Sequence, residues 1–156
     1  MGSGKTTVGR LAARRLGWRF MDLDREISRH TKQAIPEIFA ERGEAYFRDL
    51  EHETLRDALK TQHDLVIACG GGVVTRSENR DLLKPVLTVF LEEDPHLLYD
   101  RTRTDARPLR GATLESFLKR YRERLPLYES VASHIIHTDG RSAGRVAGEV
   151  VGWLNA

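Results

Sequence analysis

The chain has 156 residues and a mass of 17.7 kDa, one domain's worth and enough to bury a sizeable core. Hydrophobic residues make up 40% and charged residues 31%, which excludes a disordered chain. Lys+Arg 25 against Asp+Glu 23 leaves a formal charge of +2, too balanced for a general nucleic-acid binder.

The elements alternate along the chain. After a glycine-rich start, Val8, Leu11, Ala12 and Leu16 recur at helical spacing, and Gly17 ends that helix. Residues 18–21 read as a short strand, and a helix follows from about Asp24. Residues 35–42 form a short helix with Pro36 in its first turn. A longer helix covers 44–59, with Phe47, Leu50, Leu55 and Leu59 inward. Residues 65–68 are fully apolar, the pattern of a parallel strand covered on both faces, and lead into Gly70-Gly71-Gly72. A helix over 77–83 has Ser77 as its cap. Residues 86–91 form a second apolar strand, and Asp94-Pro95 starts another helix. Residues 104–112 are polar and Arg-rich, hence a loop. Helix resumes over 114–127, a last strand covers 134–137 and a last helix 143–154. This alternation implies an α/β fold with a mostly parallel sheet.

No apolar run approaches the ~20 residues of a membrane span. The longest candidate, 65–74, is interrupted by three glycines. The N-terminus has no signal-peptide pattern. Cys69 is the single cysteine, so no internal disulfide forms and a reducing cytoplasm is expected. The basic residues are uneven: twenty are Arg and five Lys, and 101–124 carries a local +5. The planar fork of Arg suits phosphate and carboxylate oxygens, although a solvated helix face explains such a cluster equally well.

Four motifs carry chemistry. Gly2-Ser3-Gly4-Lys5-Thr6-Thr7 runs straight into a helix, as a phosphate-binding loop does. Backbone N–H groups and the helix N-terminus would cradle phosphate, Lys would reach the β/γ-phosphates, and Ser or Thr would ligate Mg²⁺. Asp22-Leu23-Asp24 ends a strand, where i and i+2 share a face. Two carboxylates there could serve a metal and a hydroxyl, or Asp could simply cap a helix. Gly70-Gly71-Gly72 lies beyond the carboxyl end of a strand, where open α/β sheets bind ligands. Arg107-Pro108-Leu109, in the basic loop, could close a cation over moving phosphate.

In this order the motifs resemble the shikimate kinase family. Gly-Ser-Gly-Lys-Thr-Thr is followed by Asp-Leu-Asp, Ile-Phe, Phe-Arg, Gly-Gly-Gly, Arg-Pro-Leu and Arg-Leu-Pro-Leu-Tyr, spanning residues 1 to about 141. The resemblance implies a single P-loop kinase domain over 1–156, a three-layer α/β/α architecture whose central parallel sheet has five strands in the family. It implies a shikimate-binding region at about 24–60 and a lid at about 103–113. The implied reaction moves the ATP γ-phosphate to the 3-hydroxyl of shikimate, on the way to chorismate, in a cytoplasmic monomer without nucleic-acid or membrane partners.

Residue by residue, the resemblance puts Gly2, Ser3, Gly4, Lys5, Thr6 and Thr7 on the ATP phosphates, with Arg101 and Arg141 near the nucleotide and Arg107 as the lid arginine. Thr6 and Asp22 would serve Mg²⁺. Asp24 would bind the shikimate hydroxyls as candidate base, and Lys5 and Arg107 complete the catalytic set. Arg48 and Arg124 would hold the carboxylate, Gly70, Gly71 and Gly72 would line the pocket, and Phe39 and Phe47 would wall it. Cys69 departs from the usual small residue before the glycines, at similar volume. The competing enzyme is another small-molecule P-loop kinase, acting on gluconate or a nucleotide.

One feature of the phosphate loop is out of register. The full motif is G-x-x-x-x-G-K-[ST], and counting back from Gly4 puts its first glycine two positions before Met1. The strand that feeds such a loop is also missing. Losing about five buried aliphatic residues removes roughly 7–15 kcal/mol, comparable with the ~5–15 kcal/mol stability of a domain. The expectation is that Met1 is an internal residue of a longer loop. The alternative is that the truncated chain is non-catalytic.

Overall fold

The structure, a computed structural model, describes residues 2–61, 63–102 and 113–156. The elements follow the expected alternation: α1 (Lys5–Leu16), β1 (Arg19–Asp22), α2 (Leu23–Thr31), α3 (Ile35–Thr61), β2 (Leu65–Ala68), α4 (Ser77–Leu83), β3 (Val89–Glu92), α5 (Pro95–Arg101), α6 (Leu114–Val131), β4 (His134–His137) and α7 (Ala143–Leu154). A single 3₁₀ turn, Val73–Thr75, links the glycine triplet to α4.

Local chemistry explains the boundaries. Gly17, at φ 71°, ends α1 in the left-handed conformation, and the Gly17 and Trp18 amides return to the Arg14 and Ala13 carbonyls. Asp94 caps α5 by accepting from the His96 and Leu97 amides, with Pro95 in the first turn. Thr113 and Ser116 form a reciprocal capping box at the start of α6. The two helices expected at 35–42 and 44–59 are one element broken at Gly43, whose φ of 81° and ψ of 173° are non-helical. Ser77 is the first helical residue of α4, with Arg76 in the cap position. The third strand starts at Val89, later than expected, and Leu87 is exposed.

Helices pack on both sides of the strands. On one side α1 and α7 bury Val8, Ala12, Val146, Ala147 and Val150 against Ile136 of β4. On the other, Leu23, Leu55, Val73, Val74, Leu83 and Val131 join α2, α3, α4 and α6. Ile27, Ile38 and Phe47 form a small third cluster between α2 and α3.

The strands form two parallel pairs. β1 pairs with β2, from Arg19 opposite Leu65 to Asp22 opposite Ala68. β3 pairs with β4, from Val89 opposite His134 to Glu92 opposite His137. Among the described residues no ladder joins β2 to β3. A cavity of about 610 Å³ lies between them, lined by residues 65–71 and 86–91 without a break. Side chains alternate across a strand, so an unbroken lining means that the cavity meets the backbone edges. The parallel sheet of the expectation, with its first strand absent, is present as two pairs with no ladder between their edges among the described residues. No helix among the described residues is long and apolar enough to cross a membrane.

Candidate active site

The phosphate loop opens the site. Gly2 and Gly4 both have positive φ, 70° and 75°. At Gly2 a Cβ would lie 3.0 Å from Thr102 Cγ2 and 3.1 Å from the Leu98 carbonyl, so the loop sits tightly against α5. Gly4 caps α1, and its carbonyl accepts from the Val8 amide. Lys5, Thr6 and Thr7 are therefore the first turn, where unpaired N–H groups favour an anion. Arg101 holds the loop from the other side. Its guanidinium grips the buried Glu93 carboxylate at 2.5 and 2.9 Å and reaches the Gly2 carbonyl at 3.5 Å.

Thr6 and Asp22 meet across this opening. The Thr6 hydroxyl donates to Asp22 Oδ2 at 2.8 Å, while Asp22 Oδ1 accepts the Arg25 amide and caps α2. The helix-cap reading of Asp22 is thus observed, and its other oxygen meets the Thr6 hydroxyl. The shared-strand-face argument for Asp22 and Asp24 does not hold. β1 ends at Asp22, and Asp24 belongs to the first turn of α2. Helical geometry, not strand alternation, turns Asp24 inward, where its Oδ1 would stand 3.3 Å from a Cβ at Gly70.

Thr6 and Asp22 offer one hydroxyl and one carboxylate, hard oxygen donors that suit Mg²⁺. That ion keeps most of its shell as water and substrate phosphate. No group of three or more His, Cys, Asp or Glu side chains among the described residues could cage a metal. The donor set therefore fits an ion carried with a nucleotide.

The glycine triplet is the hub of the acceptor side, and none of the three glycines has positive φ. Two of them, Gly70 and Gly72, are crowded by neighbouring side chains. Gly70 faces Asp24 and Glu51, and a Cβ added there would lie 3.4 Å from Glu51 Oε1. Gly71 gives its carbonyl to the Tyr128 hydroxyl at 2.5 Å. A Cβ at Gly72 would run into the Arg48 guanidinium.

Arg48 is held firmly. Its Nη1 donates to Glu51 at 2.7 Å and its Nε to Glu44 at 3.4 Å, and its guanidinium carbon lies 5.2 Å from the Phe47 ring centroid. Phe39 and Phe47 pack together, centroids 4.8 Å apart, beside this pair. Arg124 acts electrostatically on both Tyr128 and Glu51 and lines the same cavity as Gly70 and Gly71.

Electrostatics show how closely these groups converge. Burial pushes the Cys69 thiol up to about 12; Glu51, Asp24 and Asp22 push the same way and Lys5 opposes them. Cys69 is partly buried and lines the cavity. One sulfur atom at the end of β2 thus senses both the phosphate loop and the acceptor side. Burial also raises the Glu51 carboxyl; Arg48 and Arg124 pull it down and Asp24 adds to the rise.

Two expected residues stand apart from these contacts. Arg141, just past the carboxyl end of β4, donates to the His137 carbonyl at 3.0 Å and to Glu149 of α7 at 2.5 Å. Arg107, with the lid at 103–112, lies outside the described residues, and Thr113 is the capping residue of α6.

Three participants carry no role in the motif order. Glu51, fully buried, orients Arg48; its position three residues on along a helix was the available signal. Tyr128, stacked on Phe90 at 4.9 Å, bonds Gly71 from one turn beyond Arg124 on α6. Glu93 anchors Arg101, which no sequence spacing reveals.

Comparison with known proteins adds the family. The family model described as shikimate kinase matches residues 1–155. Shikimate kinase of Cupriavidus pinatubonensis is 45% identical, over 97% of this chain and 80% of that one. The Dictyoglomus turgidum enzyme is 36% identical over 97% and 91%. Among solved structures, shikimate kinase from Acinetobacter baumannii in complex with shikimate superposes with a TM-score of 0.94 at 37% identity, covering 99% of this chain and 88% of that one. The Aquifex aeolicus shikimate kinase gives 0.88 at 32%, over 99% and 92%. With a phosphate loop and an arginine-flanked glycine hub in one cleft, this chain belongs to the shikimate kinase family.

Proposed function

We propose that the protein phosphorylates shikimate with ATP, giving shikimate 3-phosphate and ADP in aromatic amino-acid biosynthesis. The observation that carries this reading is the placement of Arg48, Arg124 and Asp24 around the glycine triplet beside a phosphate loop. Shikimate is a small polyhydroxylated carboxylate. It needs cations for its carboxylate, an acceptor for a hydroxyl proton and walls that allow close approach.

The loop N–H groups of residues 2–7 and the N-terminus of α1 bind the phosphates, and Lys5 meets the charge that moves with the γ-phosphoryl group. Arg48 and Arg124 hold the carboxylate, and Phe39 and Phe47 close the wall behind it. The acceptor hydroxyl oxygen forms the new bond to the γ-phosphorus as the bond to the β-phosphate oxygen breaks. Its proton passes to Asp24, and ADP leaves. Thr6 and Asp22 would hold Mg²⁺, which neutralises phosphate charge when bound. Arg101 steadies the loop through Gly2. Arg107 is assigned to the γ-phosphate, and Arg141 to the nucleotide, on the motif resemblance alone. We place the activity in the cytoplasm and in a monomer, supported by the lone cysteine and by a site assembled from one chain.

A coupled ADP-release assay tests this. The expected result is ATP turnover that depends on shikimate and is absent with gluconate or nucleoside monophosphates. Preference for either alternative would overturn it.

A further inference from the structure

We propose that Arg120 is a third binding cation for the carboxylate of the acceptor substrate, acting beside Arg124 and Arg48. The inference rests on the shikimate reading above and deepens it.

Arg120, Arg124 and Tyr128 follow one another at i, i+4 and i+8 on α6, so they share one face of the helix. Tyr128 fixes where that face looks, because its hydroxyl is bonded to the Gly71 carbonyl. Arg120 and Arg124 line the same cavity as Gly70 and Gly71. Nη1 of Arg120 is buried and donates to nothing among the described residues. A buried guanidinium nitrogen left without an acceptor is costly, and it calls for a ligand that supplies one.

The donor that lacks an acceptor is cationic, so the ligand that matches it is an anion. Burial weakens the hold of Arg120 on its proton, and Arg124 weakens it further; Glu44, Glu123 and Tyr128 work the other way. Glu44 is already engaged by Arg48. Three guanidinium groups therefore share the acids of this corner, and Arg120 is the one whose Nη1 is left without an acceptor among the described residues. All of these neighbours belong to α6 or to the part of α3 after Gly43, the acceptor side of the site. The anion expected there is the carboxylate rather than a nucleotide phosphate. Other arginines nearby are committed: Arg101 to Glu93, and Arg122 to the Leu118 carbonyl.

The test compares wild type with Arg120→Leu, which keeps an apolar stem, and with Arg120→Gln. KM for shikimate and for ATP, kcat and Tm are measured, and shikimate methyl ester serves as the uncharged probe. The value of a hydrogen bond to a charged group implies a rise in shikimate KM of about tenfold to a hundredfold. ATP KM should stay within about twofold. Tm should hold or rise, because a desolvated cation facing another cation has been removed. With the methyl ester the variant and wild type should differ little. An unchanged shikimate KM overturns the proposal, as does an equal loss with shikimate and ester. Should Arg120→Leu fold poorly, Arg120→Gln decides by the same shikimate-to-ester comparison. Failure of the wild type itself to use shikimate would overturn the function; a turning-over wild type with indifferent variants overturns only the role of Arg120.

Discussion

Gly72→Ala puts a methyl group where the Arg48 guanidinium now lies. The far end of an arginine usually swings aside at little cost. Here it does not, because Arg48 is bonded at 2.7 Å to Glu51, whose side chain is 1% exposed, and also to Glu44. Moving the guanidinium forfeits a charge-assisted hydrogen bond of about 1.5–3 kcal/mol. It also leaves the Glu51 carboxylate buried beside Asp24, a loss bounded by the ~3–5 kcal/mol of a broken buried pair. If the displaced cation is the one that holds the shikimate carboxylate, KM for shikimate should rise roughly tenfold to a hundredfold. KM for ATP should be nearly unchanged. Steady-state kinetics with each substrate varied in turn, together with a thermal melt, reads both effects. Gly4→Ala is the control: a Cβ there meets nothing within 4 Å, but φ of 75° costs about 1 kcal/mol of strain. That variant should spare shikimate KM. A Gly72→Ala enzyme with wild-type shikimate KM and an unchanged Tm would refute the reasoning.

Further outcomes are expected. Lys5→Ala should abolish turnover while shikimate binding, followed by calorimetry, persists; normal kcat would exclude the phosphate-loop assignment. Asp24→Asn should lower kcat severely with ATP affinity preserved, and loss of nucleotide binding would instead assign Asp24 to metal or structure. The Cys69 thiol, pushed up from 9.0 to about 12, stays protonated at pH 8, with a thiolate fraction about a thousandfold below that of an ordinary thiol. Maleimide labelling should therefore be very slow in the folded protein and rapid in urea; rapid labelling of the native state would mean that the cavity opens freely. Raising the folded pKa of Glu51 means that the folded state binds its proton more tightly, so its contribution to stability is present below pH 4.5 and lost as pH rises. The Tm difference between wild type and Glu51→Gln should shift against wild type from pH 4 to pH 7.

Periodicity and punctuation made the elements legible. Apolar runs at 65–68 and 86–91, Gly17, Asp94-Pro95 and the break at Gly43 are local signals, and the chain obeys them except that the second of these strands starts only at Val89. The chemistry of the phosphate loop was legible for the same reason, since its residues are adjacent in the chain and Lys5 follows Gly4 directly into α1. Asp22 and Asp24 were brought to the site by a different route from the one that alternation suggested, because the helix starts one residue after Asp22. The partners Glu51, Glu93 and Tyr128 were not legible as such. Their roles depend on which turn of which helix faces the glycines, and this is set by packing between distant segments.

Sequence alone determined the order of strands and helices, the anion-binding loop and the family to which the motifs belong, because each rests on contiguous residues. Tertiary structure decided what crowds Gly70 and Gly72, how Arg101 reaches the phosphate loop, and how two strand pairs stand apart around a cavity. Those are properties of side chains and backbone edges meeting between segments far apart in the chain, for which local sequence holds no signal.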